Sequence, residues 1–334
     1  MTVSRTPDDK TVEGSWAEGL AVVTAMATWL LLLVGCLVHG TGSSLACPDW
    51  PLCFGSAFPK MENGVQFEHT HRLVATAVGL LTIALAASLH RRRRSDPVSA
   101  RMGYLGVGLV CFQGLLGGIT VLLRLPIVVT LTHLGTSMIF FCLMTLVAVR
   151  VRTRPRDGLA DEAAARRRVV PELARLRPWA GLAAAATFAQ IVLGGIVRHT
   201  ASGLACFGVP LCNGDLWPAH PGAHWHMSHR IFAIVLGTYV VALNLKIRSR
   251  APGRALVRLT TLAIGLVLLQ ITLGVLSVLS LLSLSAVTLH LGVAALVFAC
   301  NVAIVYYLPT AARTTRSPAA LPLSLSGKLR DKTA

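Results

Sequence analysis

The chain has 334 residues, of which 54% are hydrophobic and only 13% are charged. Ordinary soluble domains carry about 25% charged residues, so the composition excludes a soluble globular protein. The formal net charge of +17 at pH 7 invites a nucleic-acid partner. The basic residues, however, gather between apolar runs in the pattern of a membrane topology signal, and no nucleic-acid partner is expected.

Eight apolar runs are long enough to cross a bilayer, because about 20 helical residues span a hydrocarbon core of about 30 Å. Eight such runs leave little sequence for a soluble domain. The sequence therefore predicts an all-α integral membrane protein with eight transmembrane helices. In chain order the runs are 17–39, 70–90, 103–123, 127–149, 179–198, 229–248, 256–279 and 285–308.

The positions of the basic residues predict the orientation. Of the 31 Lys and Arg residues, 26 lie on one side of the eight predicted spans. The positive-inside rule places that side, with both termini, in the cytoplasm. The acidic N-terminal tail resembles neither a cleavable signal nor a transit peptide, and Arg and Ala are abundant. A multi-pass protein of the bacterial inner (plasma) membrane is expected, in contact with the lipid bilayer.

The chain contains the same unit twice. "CPDWPLC" at 47–53 and "CFGVPLC" at 206–212 are 159 positions apart, and later Gln, His and Arg positions keep nearly the same offset. Four spans return the chain to its starting side, so two tandem, similarly oriented four-helix bundles are predicted. The expected segments are a tail (1–16), a first bundle (17–149), a basic linker with a short helix (150–178), a second bundle (179–308) and a tail (309–334).

The two CysX5Cys loops predict disulfides Cys47–Cys53 and Cys206–Cys212. Both loops face the outside in this topology, where disulfides persist, and the spacing is longer than that of typical zinc pairs. A structural staple is one interpretation, and a pair that cycles its thiols is the other. The staple is favoured for the second pair, whereas the first pair stays open between the two.

Four histidines are candidate metal ligands, because they open the four spans that run from outside to inside and recur at duplicated positions. Two imidazoles on facing helices of one bundle are a common way to hold a haem iron, whereas two imidazoles alone leave copper or zinc poorly coordinated. The alternative for any single one is a polar residue at a helix entrance. The four are His71, His133, His229 and His290.

Charged residues beside these histidines point to further roles. Arg72 and Arg230 each follow a candidate ligand and match a haem propionate, although an arginine that snorkels to the interface is the alternative. Glu68 stands three residues before His71, and its counterpart in the second unit is His226. This asymmetry predicts divided labour, with Glu68 as a proton shuttle. An ion pair between Glu68 and Arg72 is a compatible alternative.

Together the motifs "CPDWPLCFG", "EHTHR", the Gln and Gly positions of the later helices and the second "HR" resemble the haem A synthases of the CtaA family, over about residues 17–308. The resemblance implies an oxidoreductase that converts haem O to haem A by oxidising a ring methyl to a formyl group. It also implies haem O as substrate, and makes haem O synthase and terminal oxidase assembly expected partners.

The resemblance assigns roles residue by residue. His71 and His133 would hold the substrate haem, with Glu68 as the catalytic carboxylate, and the first cysteine pair matches members that carry cysteines there. A haem b cofactor would lie between His229 and His290 in the second bundle. One rival is a non-enzymatic di-haem electron carrier, which would not explain Glu68 in one unit only. The other is a two-repeat transporter, which the apolar mid-spans disfavour.

Overall fold

A computed structural model of the chain describes residues 7–153, 160–251 and 253–309. Eight α-helices occupy most of these residues, with no strand among them. Each contains a segment long and apolar enough to cross a membrane, which confirms the predicted all-α membrane fold. The helices are α1 (Pro7–Gly40), α2 (Val65–His90), α3 (Pro97–Leu122), α4 (Ile127–Arg152), α5 (Ala160–His199), α6 (Pro221–Arg250), α7 (Arg254–Leu279) and α8 (Leu284–Tyr307).

Several helices extend beyond the apolar runs that predicted them. Helices α2 and α6 begin at Val65 and Pro221, so His71 and His229 lie well inside their helices instead of opening them. Helix α5 runs unbroken through 160–178, so the described residues of the expected linker form no separate helix and instead continue α5. Hydropathy marks only the membrane-embedded part of a helix, whereas polar Ala-, Arg- and Glu-rich turns continue it readily.

The helices pack in two rings of four. In the first ring each of α1 to α4 packs on its chain neighbours, and α4 returns to α1; helices α5 to α8 repeat the pattern. Consequently α2 lies opposite α4, and α6 lies opposite α8. The rings meet where α1 packs against α8 and where α4 packs against both α5 and α8. These contacts support the grouping into four-helix units.

Hydrophobic packing and polar contacts join the rings. Buried apolar side chains of α1, α4, α5 and α8 form one shared core cluster, separate from the cluster inside each ring. Trp29 on α1 donates its indole N–H to the carbonyl oxygen of Gly292 on α8, at 3.0 Å. Arg198 on α5 contacts the sulfur of Cys36 on α1, at 3.2 Å. The two units are thus packed together over their common face.

Local backbone geometry repeats with the sequence. Phe54 and Asn213, 159 positions apart, follow the second cysteine of each loop and have left-handed φ angles of 52° and 54°. Leu125 and Leu282, 157 positions apart, lie in the tight turns before α4 and α8, with φ angles of 62° and 63°. Non-glycine residues seldom adopt this conformation. Its recurrence at both offsets supports a duplicated unit.

Candidate functional site

Both predicted disulfides are present. Cys47 and Cys53 are joined at 2.04 Å, and Cys206 and Cys212 at 1.97 Å. All four cysteines are buried. Each bond closes a loop that connects the first two helices of its ring. Because consecutive helices alternate in direction, both loops and the α3–α4 and α7–α8 turns lie at one end of the molecule, called here the loop end.

Two arginines fasten these loops to the helices that carry candidate ligands. Arg72 on α2 donates to the carbonyl oxygen of Asp49 at 2.7 Å. Arg230 on α6 donates to the carbonyl oxygens of Gly208 at 2.5 Å and Cys206 at 2.8 Å. Both guanidinium groups therefore support the loop backbone. A contact with haem propionates stays a prediction for both.

Glu68 is buried and bound on both sides. One carboxylate oxygen pairs with Arg72 at 2.5 Å, and the other accepts the backbone N–H of Cys47 at 2.8 Å. The ion pair considered as an alternative is therefore present. In the second ring the corresponding position is the buried His226. The first loop thus depends on a carboxylate that the second loop lacks, and a catalytic role for Glu68 stays a prediction.

A second carboxylate shapes the first loop from within. Asp49 accepts the backbone N–H groups of Phe54 at 2.6 Å and Gly55 at 2.7 Å. The Gly55 N–H, helped by that of Phe54 and by the charge of Arg72, holds the pKa of Asp49 below its ordinary value. Asp49 is consequently ionised at neutral pH and stabilises the turn.

Each of the four candidate histidines lies against a glycine on the preceding helix. The absence of a side chain there lets the imidazole approach the neighbouring backbone closely. A β-carbon at the glycine would lie close to the ring Cε1 atom in every case. The pairs and distances are Gly35 with His71 at 3.0 Å, Gly117 with His133 at 3.5 Å, Gly194 with His229 at 3.0 Å, and Gly274 with His290 at 3.1 Å.

The histidines of one ring project from opposite helices. His71 and His133 are close enough to interact electrostatically across the first ring, as are His229 and His290 across the second. Within the described part of the chain, the buried Nδ1 atoms of His71, His133 and His290 have no hydrogen-bond partner. A buried polar atom without a partner is costly, so these histidines fit a role in which they would hold a haem iron.

Three glutamines also contact these histidines; two of them, Gln113 and Gln270, occupy matching positions in the repeated units of the sequence. Each stands four residues, about one turn, before the supporting glycine. Gln190 Nε2 donates to the carbonyl oxygen of His229 at 2.9 Å and lies 3.0 Å from its Nδ1. The other two contacts are Gln270 Nε2 to His290 Nε2 at 3.2 Å and Gln113 Nε2 to the carbonyl oxygen of His133 at 3.2 Å. The Gln-X3-Gly spacing on α5 was the available signal for Gln190.

The first loop also covers α3 next to a candidate ligand. The indole of Trp50 lies directly on Gly118, where a β-carbon would be 2.7 Å from Trp50 Cδ2. Gly117, the next residue back, supports His133. In the second ring the corresponding residues are Val209 and Val275. Two valines of equal size thus take the places of the large tryptophan and the glycine without a side chain. Sequence reasoning did not single out this contact, since nothing local indicates where the loop tryptophan packs.

His69 lies beside the first disulfide and was likewise missed. One of its ring nitrogens and both sulfurs of Cys47 and Cys53 lie within 4.8 Å of one another, and its Nε2 is 3.1 Å from the carbonyl oxygen of Ala57. Three such groups resemble a metal centre. The two sulfurs are bonded to each other, however, so neither is a thiolate available to a metal ion, and the cluster is a packing contact in this state.

The fold and the site define a class: a multi-pass helical membrane protein with paired histidines inside its helix bundles. Residues 18–302 match the COX15-CtaA family, described as cytochrome oxidase assembly protein, and the chain belongs to this family. This membership confirms the resemblance drawn from the motifs. It also supports the prediction that the chain is an enzyme, because its relatives are named for a synthase activity.

The relatives match over most of their length. Heme A synthase of Shouchella clausii is 32% identical over 272 residues, which cover 78% of this chain and 86% of that protein. Heme A synthase of Symbiobacterium thermophilum is 32% identical over 280 residues, or 82% and 90% of the two chains. Heme A synthase of Shewanella oneidensis is 28% identical over 328 residues, or 86% and 94%.

Proposed function

We propose that this protein converts haem O to haem A, oxidising a ring methyl group to a formyl group through successive hydroxylations. The observation that carries the proposal is the match, across nearly the whole chain, to proteins named heme A synthase. The two inward-facing histidine pairs support it, because one pair would hold a substrate haem and the other would hold a resident haem.

The first ring is the proposed substrate site. His71 and His133 hold the substrate on opposite faces. The glycines that support them determine how closely each imidazole approaches the neighbouring helix. Glu68 acts as the catalytic carboxylate that exchanges protons with the reacting group. Its ion pair with Arg72 at 2.5 Å keeps it at the loop end beside His71, so the same contact both positions the carboxylate and fastens the loop.

The second ring is the proposed site of a haem b cofactor, held by His229 and His290. When bound, this group supplies a redox centre for electrons that leave the substrate. Gln190 and Gln270 contact these two histidines, and Arg230 anchors the loop above them. His226 replaces the carboxylate of the first ring, in keeping with a site that binds without reacting.

The proposed location is the bacterial inner membrane, with the loop end outside and both termini in the cytoplasm. The basic residues near the opposite end of the helices support this orientation. An amphiphilic substrate fits access from the lipid between helices. A haem O synthase, which makes the substrate, and a terminal oxidase under assembly, which uses the product, are the proposed partners.

The decisive experiment identifies the pigment of the purified protein. We expect haem b together with haem O and haem A, measured by a pyridine haemochrome spectrum and chromatographic typing. An electron carrier would yield haem b alone, and a transporter would show no Soret absorbance. Glu68→Gln should retain haem b and accumulate haem O without haem A. Normal haem A in this variant would refute the catalytic role.

The assignment of the resident haem has its own test. His229→Ala and His290→Ala should each remove the tightly held haem b signal, because one imidazole alone holds iron poorly. His226→Ala is the matched control, since it lies on the same helix outside the proposed pair. Full haem b content in both ligand variants would show that the cofactor binds elsewhere.

A further inference from the structure

Two aromatic side chains reach across the interface between the rings and lie on glycines of the opposite ring. Trp29 on α1 meets Gly292 on α8, where a β-carbon would be 3.4 Å from the indole Cζ2, and its N–H donates to the Gly292 carbonyl oxygen at 3.0 Å. Leu33, one turn later, contacts the same glycine. Phe188 on α5 meets Gly135 on α4, where a β-carbon would be 3.2 Å from the ring Cζ. The aromatics are 159 positions apart and the glycines 157, so both units make the same contact, each toward the other.

Each of these glycines lies behind a candidate ligand on the same helix. Gly135 stands two residues after His133. Gly292 stands two residues after His290, and two residues correspond to about 200° around an α-helix. The imidazole therefore faces its own ring, while the glycine faces the other ring. Because close-packed interiors transmit displacements, an aromatic side chain that lies on the glycine influences where the helix, and with it the histidine, is held.

Each aromatic also shares its helix with a glycine that supports a ligand of its own ring. Helix α1 presents Trp29 to the second ring and, six residues later, Gly35 to His71. Helix α5 repeats this arrangement in the opposite direction. Two continuous series of contacts therefore join a candidate ligand of one ring to a candidate ligand of the other. They are His71–Gly35–Trp29–Gly292–His290 through α1 and α8, and His229–Gly194–Phe188–Gly135–His133 through α5 and α4.

We propose that Trp29 and Phe188 are positioning residues for the candidate ligand of the opposite ring, so that haem binding in one ring changes haem affinity in the other. The inference rests on the function proposed above. An iron held by two imidazoles on opposite helices fixes the separation of those helices, and the aromatic contacts pass this constraint to the neighbouring ring. Such coupling is reciprocal, because each site must change the affinity of the other by the same factor.

This coupling suits a substrate site that lies beside a redox site. Loading of the first ring adjusts the ligands of the second-ring haem, and release of the product reverses the adjustment. The redox properties of the second ring are thereby tied to the occupancy of the first.

The first experiment changes a residue of the first ring and observes the haem of the second. Trp29→Leu is made in a His71→Ala background, so that haem b binds in the second ring, and is studied by electron paramagnetic resonance. The low-spin signal depends on the orientation of the two ligand imidazoles, which their surroundings set. We expect a shifted signal in Trp29→Leu. The matched control is Trp16→Leu, the same change on the same helix at a tryptophan that is 74% exposed, and it should leave the signal unchanged.

This readout separates positioning from packing. If Trp29 only holds the rings together, Trp29→Leu lowers the thermal unfolding midpoint but leaves the second-ring signal as in the parent, which would overturn the proposal. Phe188→Leu provides the reciprocal test, also if Trp29→Leu does not fold. In a His229→Ala background it should shift the signal of haem b in the first ring, and an unchanged signal there would equally count against the inference.

The second experiment measures the coupling itself. Haem b is titrated into the apoprotein, and the affinity of the second ring is compared between the wild type and His71→Ala. We expect a difference of about fivefold or more, which should fall to less than about twofold when both proteins also carry Trp29→Leu and Phe188→Leu. Two occupied rings with independent affinities in the wild type would refute this inference alone, whereas a wild-type protein that binds no haem would refute the proposed function.

Discussion

Gly194 offers a direct test of how closely the helices hold a candidate ligand. A β-carbon at this position would lie 3.0 Å from Cε1, 3.6 Å from Nδ1 and 3.8 Å from Nε2 of His229. Carbon atoms in contact prefer a separation of about 3.5–4.0 Å. In Gly194→Ala the imidazole must therefore retreat by at least about 0.5 Å, or α5 and α6 must separate by a similar distance.

Gly194→Ala should change the stability of the protein only slightly but should lower its affinity for haem strongly. Crowding of this kind costs about 1–3 kcal/mol, while alanine is about 1 kcal/mol better than glycine inside a helix, so the stability of the protein falls by about 2 kcal/mol at most. An imidazole that binds a ligand, by contrast, must stay within about 0.5 Å of its productive position. Gly194→Ala should therefore lower haem affinity at the second ring by about tenfold or more.

The measurement compares haem content per protein with the thermal unfolding midpoint. Gly181→Ala is the matched control: it lies on the same helix, gains the same helix propensity, and its β-carbon would meet no neighbouring heavy atom of the described residues within 4 Å. We expect haem loss in Gly194→Ala only. Equal haem content in both variants would refute the reasoning that the glycine sets the position of His229.

Three further predictions concern the loop end. Glu68→Gln removes the partner charge of Arg72 from a largely buried pair and should lower the free energy of unfolding by about 3 kcal/mol; an unchanged unfolding midpoint would contradict this. Replacing Cys206 and Cys212 by serine together should cost about 2 kcal/mol, measured in the same assay, and no change would exclude the staple. The pKa of Asp49 in the folded protein is lowered. The ionised Asp49 carboxylate therefore stabilises the first loop fully at pH values above the ordinary carboxyl pKa of about 4. This stabilisation is lost as the pH falls through the lower pKa of the folded protein. Limited proteolysis of the first loop should accordingly rise on acidification, whereas Asp49→Asn should cleave readily at every pH tested.

Much of the architecture could be predicted because its signals are local or repeated. Apolar runs mark the parts of helices that must avoid water, and they located all eight spans. A constant offset of 157–159 positions exposed the duplication and with it the histidine set. The disulfides followed from two cysteines six residues apart in loops, a spacing that keeps both sulfurs within reach.

The structure adds contacts that the sequence did not reveal, where a side chain meets residues distant in sequence. Arg72 and Arg230 donate to loop carbonyls some 20 residues earlier in the chain, and their contact with haem propionates stays a prediction. Gly194 and Gln190 matter only because α5 packs on α6, which places them against His229. Similarly, Trp50 finds its partner on α3, across a sequence gap that no local pattern bridges.

The sequence by itself determined the membrane class, the two repeated units and the residue types that carry chemistry, since hydropathy and repetition are written along the chain. Only the tertiary structure decided which glycine lies beneath each imidazole and which glutamine contacts each of three histidines. Such distinctions arise from separations of a few tenths of an ångström between helices. Close packing sets those separations collectively, and no single segment encodes them.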